Sequence, residues 1–159
     1  MRELLILALA AWLPAIVFAQ DVAATQTVLD ATPILGTPEA PYSGTDVTLE
    51  QFRWIARPIV VFADTPADPA FQRQMALLRA RPEALAERDV VIIVDTDPEA
   101  ASEVRTTLRP RGFMLVILGK DGQVEIRKPA PWDVREISRT IDKMPLRQQE
   151  IRDRLLGEN

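Results

Sequence analysis

Arg57-Pro58-Ile59-Val60-Val61-Phe62-Ala63-Asp64-Thr65-Pro66-Ala67-Asp68-Pro69-Ala70-Phe71-Gln72-Arg73-Gln74-Met75-Ala76-Leu77-Leu78 is the stretch on which the fold turns. From Ile59 to Ala63 it is continuously apolar, as a parallel strand covered on both faces must be. The loop that follows sets Asp68 directly before Pro69, an N-cap ahead of a proline at the first helical position. Phe71, Met75 and Leu78 then recur at spacings of four and three, which is one face of a helix. Strand, short loop and amphipathic helix in this order open an α/β sheet.

Working outward, Val90-Val91-Ile92-Ile93-Val94 predicts a second buried strand, after a short helical resumption beyond Pro82. Asp97-Pro98-Glu99 repeats the cap signal and predicts a helix to about Leu108. Phe113-Met114-Leu115-Val116-Ile117-Leu118 is a third buried strand. Gly119-Lys120-Asp121-Gly122 turns it into the alternating Gln123-Val124-Glu125-Ile126-Arg127, an antiparallel hairpin. Val134, Ile137, Ile141 and Met144 mark a further helix stopped by Pro145. A polar helix from about Leu146 to Leu156 closes the chain, with Arg147, Arg152 and Arg154 beside Glu150 and Asp153 read as a solvated face. Upstream, Thr48-Leu49-Glu50-Gln51 fits a capping box, with Leu49, Phe52 and Ile55 on one side of a short helix that Pro58 ends. Two right-handed crossovers are expected to make the apolar strands parallel, with the hairpin as an antiparallel edge. The fold class is then a three-layer α/β sandwich with a mixed central sheet, the thioredoxin-like layout, and a flavodoxin-like sheet would begin similarly.

At the N-terminus, Met1-Arg2-Glu3 precedes an apolar run from Leu4 to about Val17, and Val17-Phe18-Ala19 supplies small residues ahead of Gln20. This is the pattern of a secretory signal peptide over residues 1–19 with cleavage at Ala19-Gln20, and the run is shorter than the ~20 apolar residues a spanning helix needs. A periplasmic or secreted protein without a membrane span after cleavage is expected. Residues 20–46, rich in Ala, Thr, Pro and Gly, show no sustained period and read as a flexible, extended leader or surface-hugging loop, with order beginning near Thr48. Residues 47–159 then form one domain, long enough to fold without disulfides. Of the tryptophans, Trp12 lies in the signal, while Trp54 and Trp132 are expected at the core or its rim.

The chain holds no cysteine and no histidine, so thiol chemistry, the commonest general base and the commonest metal ligand are all missing. A formal net charge of -4 at pH 7 argues against nucleic acid as a partner.

Leu118-Gly119-Lys120-Asp121-Gly122-Gln123-Val124 resembles the end of a thioredoxin domain, where an apolar strand runs into Lys-Asn-Gly and a return strand. On that pattern Met114 falls where the family has its cis-proline, so the proline and the cysteines of the family's substrate face are both absent. Over nearly the whole ordered chain, Phe52-Arg53-Trp54, Arg57-Pro58-Ile59-Val60-Val61-Phe62-Ala63, Ala86-Glu87-Arg88-Asp89-Val90, Gly119-Lys120-Asp121-Gly122 and Ile141-Asp142-Lys143-Met144-Pro145-Leu146-Arg147 resemble the bacterial family called domain of unknown function 4174. That resemblance implies a small exported α/β domain and supplies no catalytic residue.

Open α/β sheets bind ligands beyond the carboxyl ends of their strands. Asp64, Asp95 and Asp97 are expected there, and an all-oxygen set suits magnesium or calcium as the cofactor of a hydrolase. Val90 to Asp97 also resembles, superficially, the first motif of haloacid-dehalogenase-type phosphatases, but Glu99 departs from it and no later lysine and acid pair follows. The ordinary account of Asp68 and Asp97, each before a proline, is helix capping, and it is preferred. Arg105, Arg109 and Arg111, with Pro110 among them, could grip an anion or a partner's carboxylates, although local pairing is the commoner role of such arginines. The leading expectation is a non-catalytic, thioredoxin-like binding domain with an unidentified protein or small-molecule partner and no cofactor. The alternative is the metal-dependent hydrolase.

Overall fold

The computed structural model describes residues 36–157. The expected signal peptide and most of the leader lie outside them. In chain order the elements are β1 (Tyr42–Ser43), a 3-10 turn (Leu49–Phe52), β2 (Arg57–Phe62), α1 (Pro69–Arg79), α2 (Pro82–Ala86), β3 (Val90–Asp95), a second 3-10 turn (Pro98–Ala100), α3 (Glu103–Leu108), β4 (Met114–Leu118), β5 (Val124–Lys128), α4 (Val134–Asp142) and α5 (Pro145–Gly157).

Five strands form one sheet in the order β1-β3-β2-β4-β5, which places β2, buried at every position, at its centre. Ile59, Val60, Val61 and Phe62 of β2 are wholly buried, each contributing about 1.5–3 kcal/mol of transfer free energy. Alternation assigns them to two cores. Ile59 and Val61 face α1, α2 and α4 through Met75, Leu78, Leu85, Ile137 and Ile141. Val60 and Phe62 face Phe52 of the first turn and Val104 and Leu108 of α3. The result is the three-layer sandwich with a thioredoxin-like strand order.

The strand directions differ from expectation in one respect. β3 runs parallel to β2, pairing Arg57 with Val90 through Phe62 with Asp95, whereas β4 runs antiparallel to β2, with Phe62 opposite Met114. Helix lengths explain this. The 11 residues of α1 and 5 of α2 carry the chain back to the start of the sheet, but the 6 of α3 span only about 9 Å, less than half of a six-residue strand. The chain therefore enters β4 at the end where β3 stopped.

Residues 36–46, expected as part of a flexible leader or surface-hugging loop, pack onto the sheet. Gly36 accepts a hydrogen bond from the Ile92 amide (2.7 Å), Tyr42 and Ser43 pair in parallel with Ile93 and Val94, and the Tyr42 ring rests 5.3 Å from that of Phe52. Short apolar contacts across the chain settle this segment, and no local period announces them. The expected capping box is not formed: Thr48 makes no side-chain cap, and the Leu49 amide instead donates to Glu103, 54 residues away. The helix expected from Asp97 to Leu108 is broken at Ala101, whose φ is 45°, and restarts with the Ser102 hydroxyl accepting from the Arg105 amide at 2.9 Å.

Candidate functional site

The carboxyl ends of β2 and β3 meet the start of β4, and Asp95 is the buried centre of that end. Its carboxylate accepts from the Ser102 hydroxyl at 2.5 Å and the Arg105 Nε at 2.9 Å. Arg105 also donates to the carbonyls of Ala63 (2.8 Å) and Asp95 (3.0 Å), and its guanidinium lies 5.4 Å from the centre of the Phe62 ring. Gly44 closes the remaining side: a Cβ there would stand 3.0 Å from that of Asp95. With its donors and acceptors thus committed, the pair holds α3 to the sheet.

The other expected site residues are not drawn into this centre. Asp64 is exposed and comes no closer to Arg105 than 3.9 Å. Asp97 caps the 3-10 turn by accepting from the Glu99 amide at 3.0 Å, and Asp68 caps α1 through the amides of Ala70 (2.7 Å) and Phe71 (3.1 Å). Among the described residues no group of three acidic side chains can hold a metal ion. Arg109 and Arg111 are exposed, Arg109 with a φ of 50° at the end of α3. Because Arg105 is engaged by Asp95, the three arginines do not form one anion grip.

A second polar centre lies at the opposite end of β2. The Arg57 side chain is wholly buried and donates to Glu150 at 2.8 Å and to the Arg88 carbonyl at 2.9 Å. Lys120 bridges Asp89 (2.8 Å) and Glu150 (3.1 Å). Arg147, also buried, reaches Glu150 at 3.3 Å, and Arg88 clasps both oxygens of Asp142 at 2.7 and 2.9 Å. Burial alone would raise the Glu150 carboxyl, but hydrogen bonds from Arg57 and Lys120 outweigh it and lower it to about 2. The Asp142 hydrogen bond raises Arg88 above its usual range. A cavity of about 110 Å³ adjoins Arg57 and Lys120 beside Met144 and Pro145, and the buried Arg57 Nε has no hydrogen-bond partner among the described residues. The solvated face expected for α5 is thus a docking face: Arg147 and Glu150 fasten the helix by charge, with little apolar contact.

Beside this network the chain presents an apolar corner. Trp54 is 62% and Ile55 70% exposed, against the expectation of a core or rim position for Trp54. Trp54 adopts φ 64°, a left-handed conformation that is an outlier for a bulky residue, and its amide is held by the Lys120 carbonyl. Asp89, bound by the same lysine, is also left-handed at φ 52°. Both constrained residues therefore converge on the turn between β4 and β5.

Sequence reasoning missed Ser102, Arg57, Glu150 and the exposure of Trp54. A serine one residue before Glu103 is a cap signal that could have marked Ser102. The 93-residue separation of Arg57 and Glu150 leaves no such mark.

Among solved structures the chain is similar to Plasmodium yoelii thioredoxin peroxidase I, at 15% identity over 65% of this chain and 80% of that one with a TM-score of 0.47. It is also similar to a yeast mitochondrial 1-Cys peroxiredoxin, at 13% identity over 68% of this chain and 99% of that one with a TM-score of 0.48. Residues 48–150 match the family described as Domain of unknown function (DUF4174), a span that holds β2 through α4, the Trp54 corner and the Arg57 and Glu150 network. This chain belongs to the DUF4174 family.

Proposed function

We propose that this chain is an exported, non-catalytic, thioredoxin-like domain that binds a protein partner through its Trp54 corner, without thiol redox chemistry and without a metal or organic cofactor. The observation that carries this reading is the exposed Trp54 and Ile55 pair, with Trp54 held in a backbone conformation that costs about 1–2 kcal/mol for an L-residue. Strain of this kind persists where surrounding structure enforces it, and it gathers at binding and switching sites. Tryptophan is also a residue type that dominates interface energies. At the opposite end, where this fold would place a reactive group, the 63–68 loop carries a helix cap and no cysteine. Export rests on the signal-like residues 1–19.

Site-specific photo-cross-linking in the native envelope tests this. A photoreactive residue at position 54 should capture one reproducible protein, and Ile55→Ser should abolish that capture from a neighbouring position such as 53 without lowering thermal stability. Capture from position 64 and not from 54 would move the binding face to the strand-to-helix junction and refute the assignment.

A further inference from the structure

A groove of about 290 Å³ lies between α2 and α4, remote in sequence from the Trp54 corner. Arg81, Arg88, Arg135 and Arg139 line it together with Glu87 and Asp142. Not all four cations are committed. Arg88 is saturated by Asp142, the Ala84 carbonyl and Glu87, and Arg139 pairs with Glu136 at 2.8 Å. Arg81 and Arg135 are exposed, and neither side chain has a described hydrogen bond or ion pair. They also share an adjoining hollow with Asp133 and Glu136, the first capping α4 through the Arg135 amide and the second held by Arg139.

The groove also contains an unsatisfied group. The Ser138 hydroxyl oxygen is buried and lacks a hydrogen-bond partner among the described residues. A buried polar atom left unpaired costs about 1–3 kcal/mol, so such atoms usually mark an ordered water or a ligand. Here Ser138 lines the same groove as two guanidinium groups that have no carboxylate partner among the described residues. Guanidinium forks and a hydroxyl donor are the groups that recognise oxyanions.

We propose that the α2 and α4 groove is a binding site for a small oxyanion ligand, phosphate or carboxylate, held by Arg81 and Arg135 with the Ser138 hydroxyl as a third donor. Arg88 and Asp142 shape its wall without contacting the ligand. This site is independent of the Trp54 corner, and either can fail alone.

Calorimetric titration of the full chain after signal removal, with inorganic phosphate in one arm and citrate in the other, tests the proposal. At least one anion should bind with one-site saturation, weakening as salt is added. Arg81→Ala with Arg135→Ala should reduce that affinity by about tenfold or more, and Ser138→Ala by a smaller factor. Both arginines are exposed, so melting curves of the double variant should match wild type. Arg109→Ala with Arg111→Ala, which removes equal charge at the far end of the molecule, should leave binding unchanged. Phosphate-only binding identifies a phosphoryl ligand, and citrate-only binding a carboxylate. Absence of saturable binding in both arms, or equal losses in the double variant and the far-end control, overturns the proposal.

Discussion

Replacing Glu150 by Gln tests the Arg57 network most directly. The substitution keeps the shape of the side chain and deletes its charge. What remains for the wholly buried Arg57 guanidinium is the Arg88 carbonyl at 2.9 Å and a half-exposed Asp89 at 3.9 Å. Stripping one partner from a buried ion pair costs about 3–5 kcal/mol. An independent figure comes from the carboxyl itself. It titrates at about 2 in the folded chain against an ordinary 4.5, a difference worth about 3 kcal/mol. Glu150 retains 27% of its side-chain exposure, and Asp89 stays in place, so a cost at or just below the lower end of this range, about 2–3 kcal/mol, is expected at pH 7. The folded value is lowered, so the stabilisation is complete above the unfolded value and is lost as pH falls from about 4.5 towards about 2. Urea unfolding of both proteins across this range should therefore show curves that are separated at neutral pH and converge in acid. A gap below about 0.5 kcal/mol at neutral pH, or one that stays constant into acid, would refute the claim that this pair fastens α5.

Three further outcomes follow from the same geometry. Asp95→Ala should lower stability by about 3 kcal/mol, because it strands the Arg105 guanidinium, and magnesium or calcium should leave the wild-type melting temperature unchanged; a cation-induced rise lost in the variant would restore the metal reading. Asp68→Ala should cost about 1 kcal/mol in chemical denaturation and Asp97→Ala less, since the first caps an 11-residue helix with two hydrogen bonds and the second a 3-residue turn with one. Trp54→Gly should raise stability by about 0.5–1 kcal/mol while abolishing cross-linked capture at the corner, because glycine accepts φ 64° without strain and the lost indole is mostly in water.

Strands β2 to β5 and the main helices are legible because each is written in local periodicity. Ile59 to Ala63 is apolar at every position and proved central; Phe71, Met75 and Leu78 share one face and proved buried. Asp68 before Pro69 announced the α1 cap at the correct residue. The second cap misled for a physical reason: Asp97 before Pro98 opens only a single 3-10 turn, since Ser102 offers a competing cap tied to buried Asp95. The place of Asp95 at a strand end marks it as a site residue, but the structure pairs it with Arg105, ten residues on, which chain order alone groups with Arg109 and Arg111. Trp54 and Arg57 defied their usual environments, the aromatic in water and the guanidinium in the core.

By itself, the sequence determined the four longer strands and the helices α1, α2, α4 and α5, that the central sheet is covered on both faces, and that no thiol or imidazole is present to act. Those properties depend on residues a few positions apart, so periodicity and cap chemistry suffice to read them. Tertiary structure alone decided the direction of β4, the seating of residues 36–46, and which of many arginines and acids are buried partners. Any arginine can pair with any carboxylate at nearly equal energy in water. Only the folding that brings Arg57 against Glu150 across 93 residues, and leaves Arg81 and Arg135 without partners among the described residues, distinguishes a structural clamp from an open site.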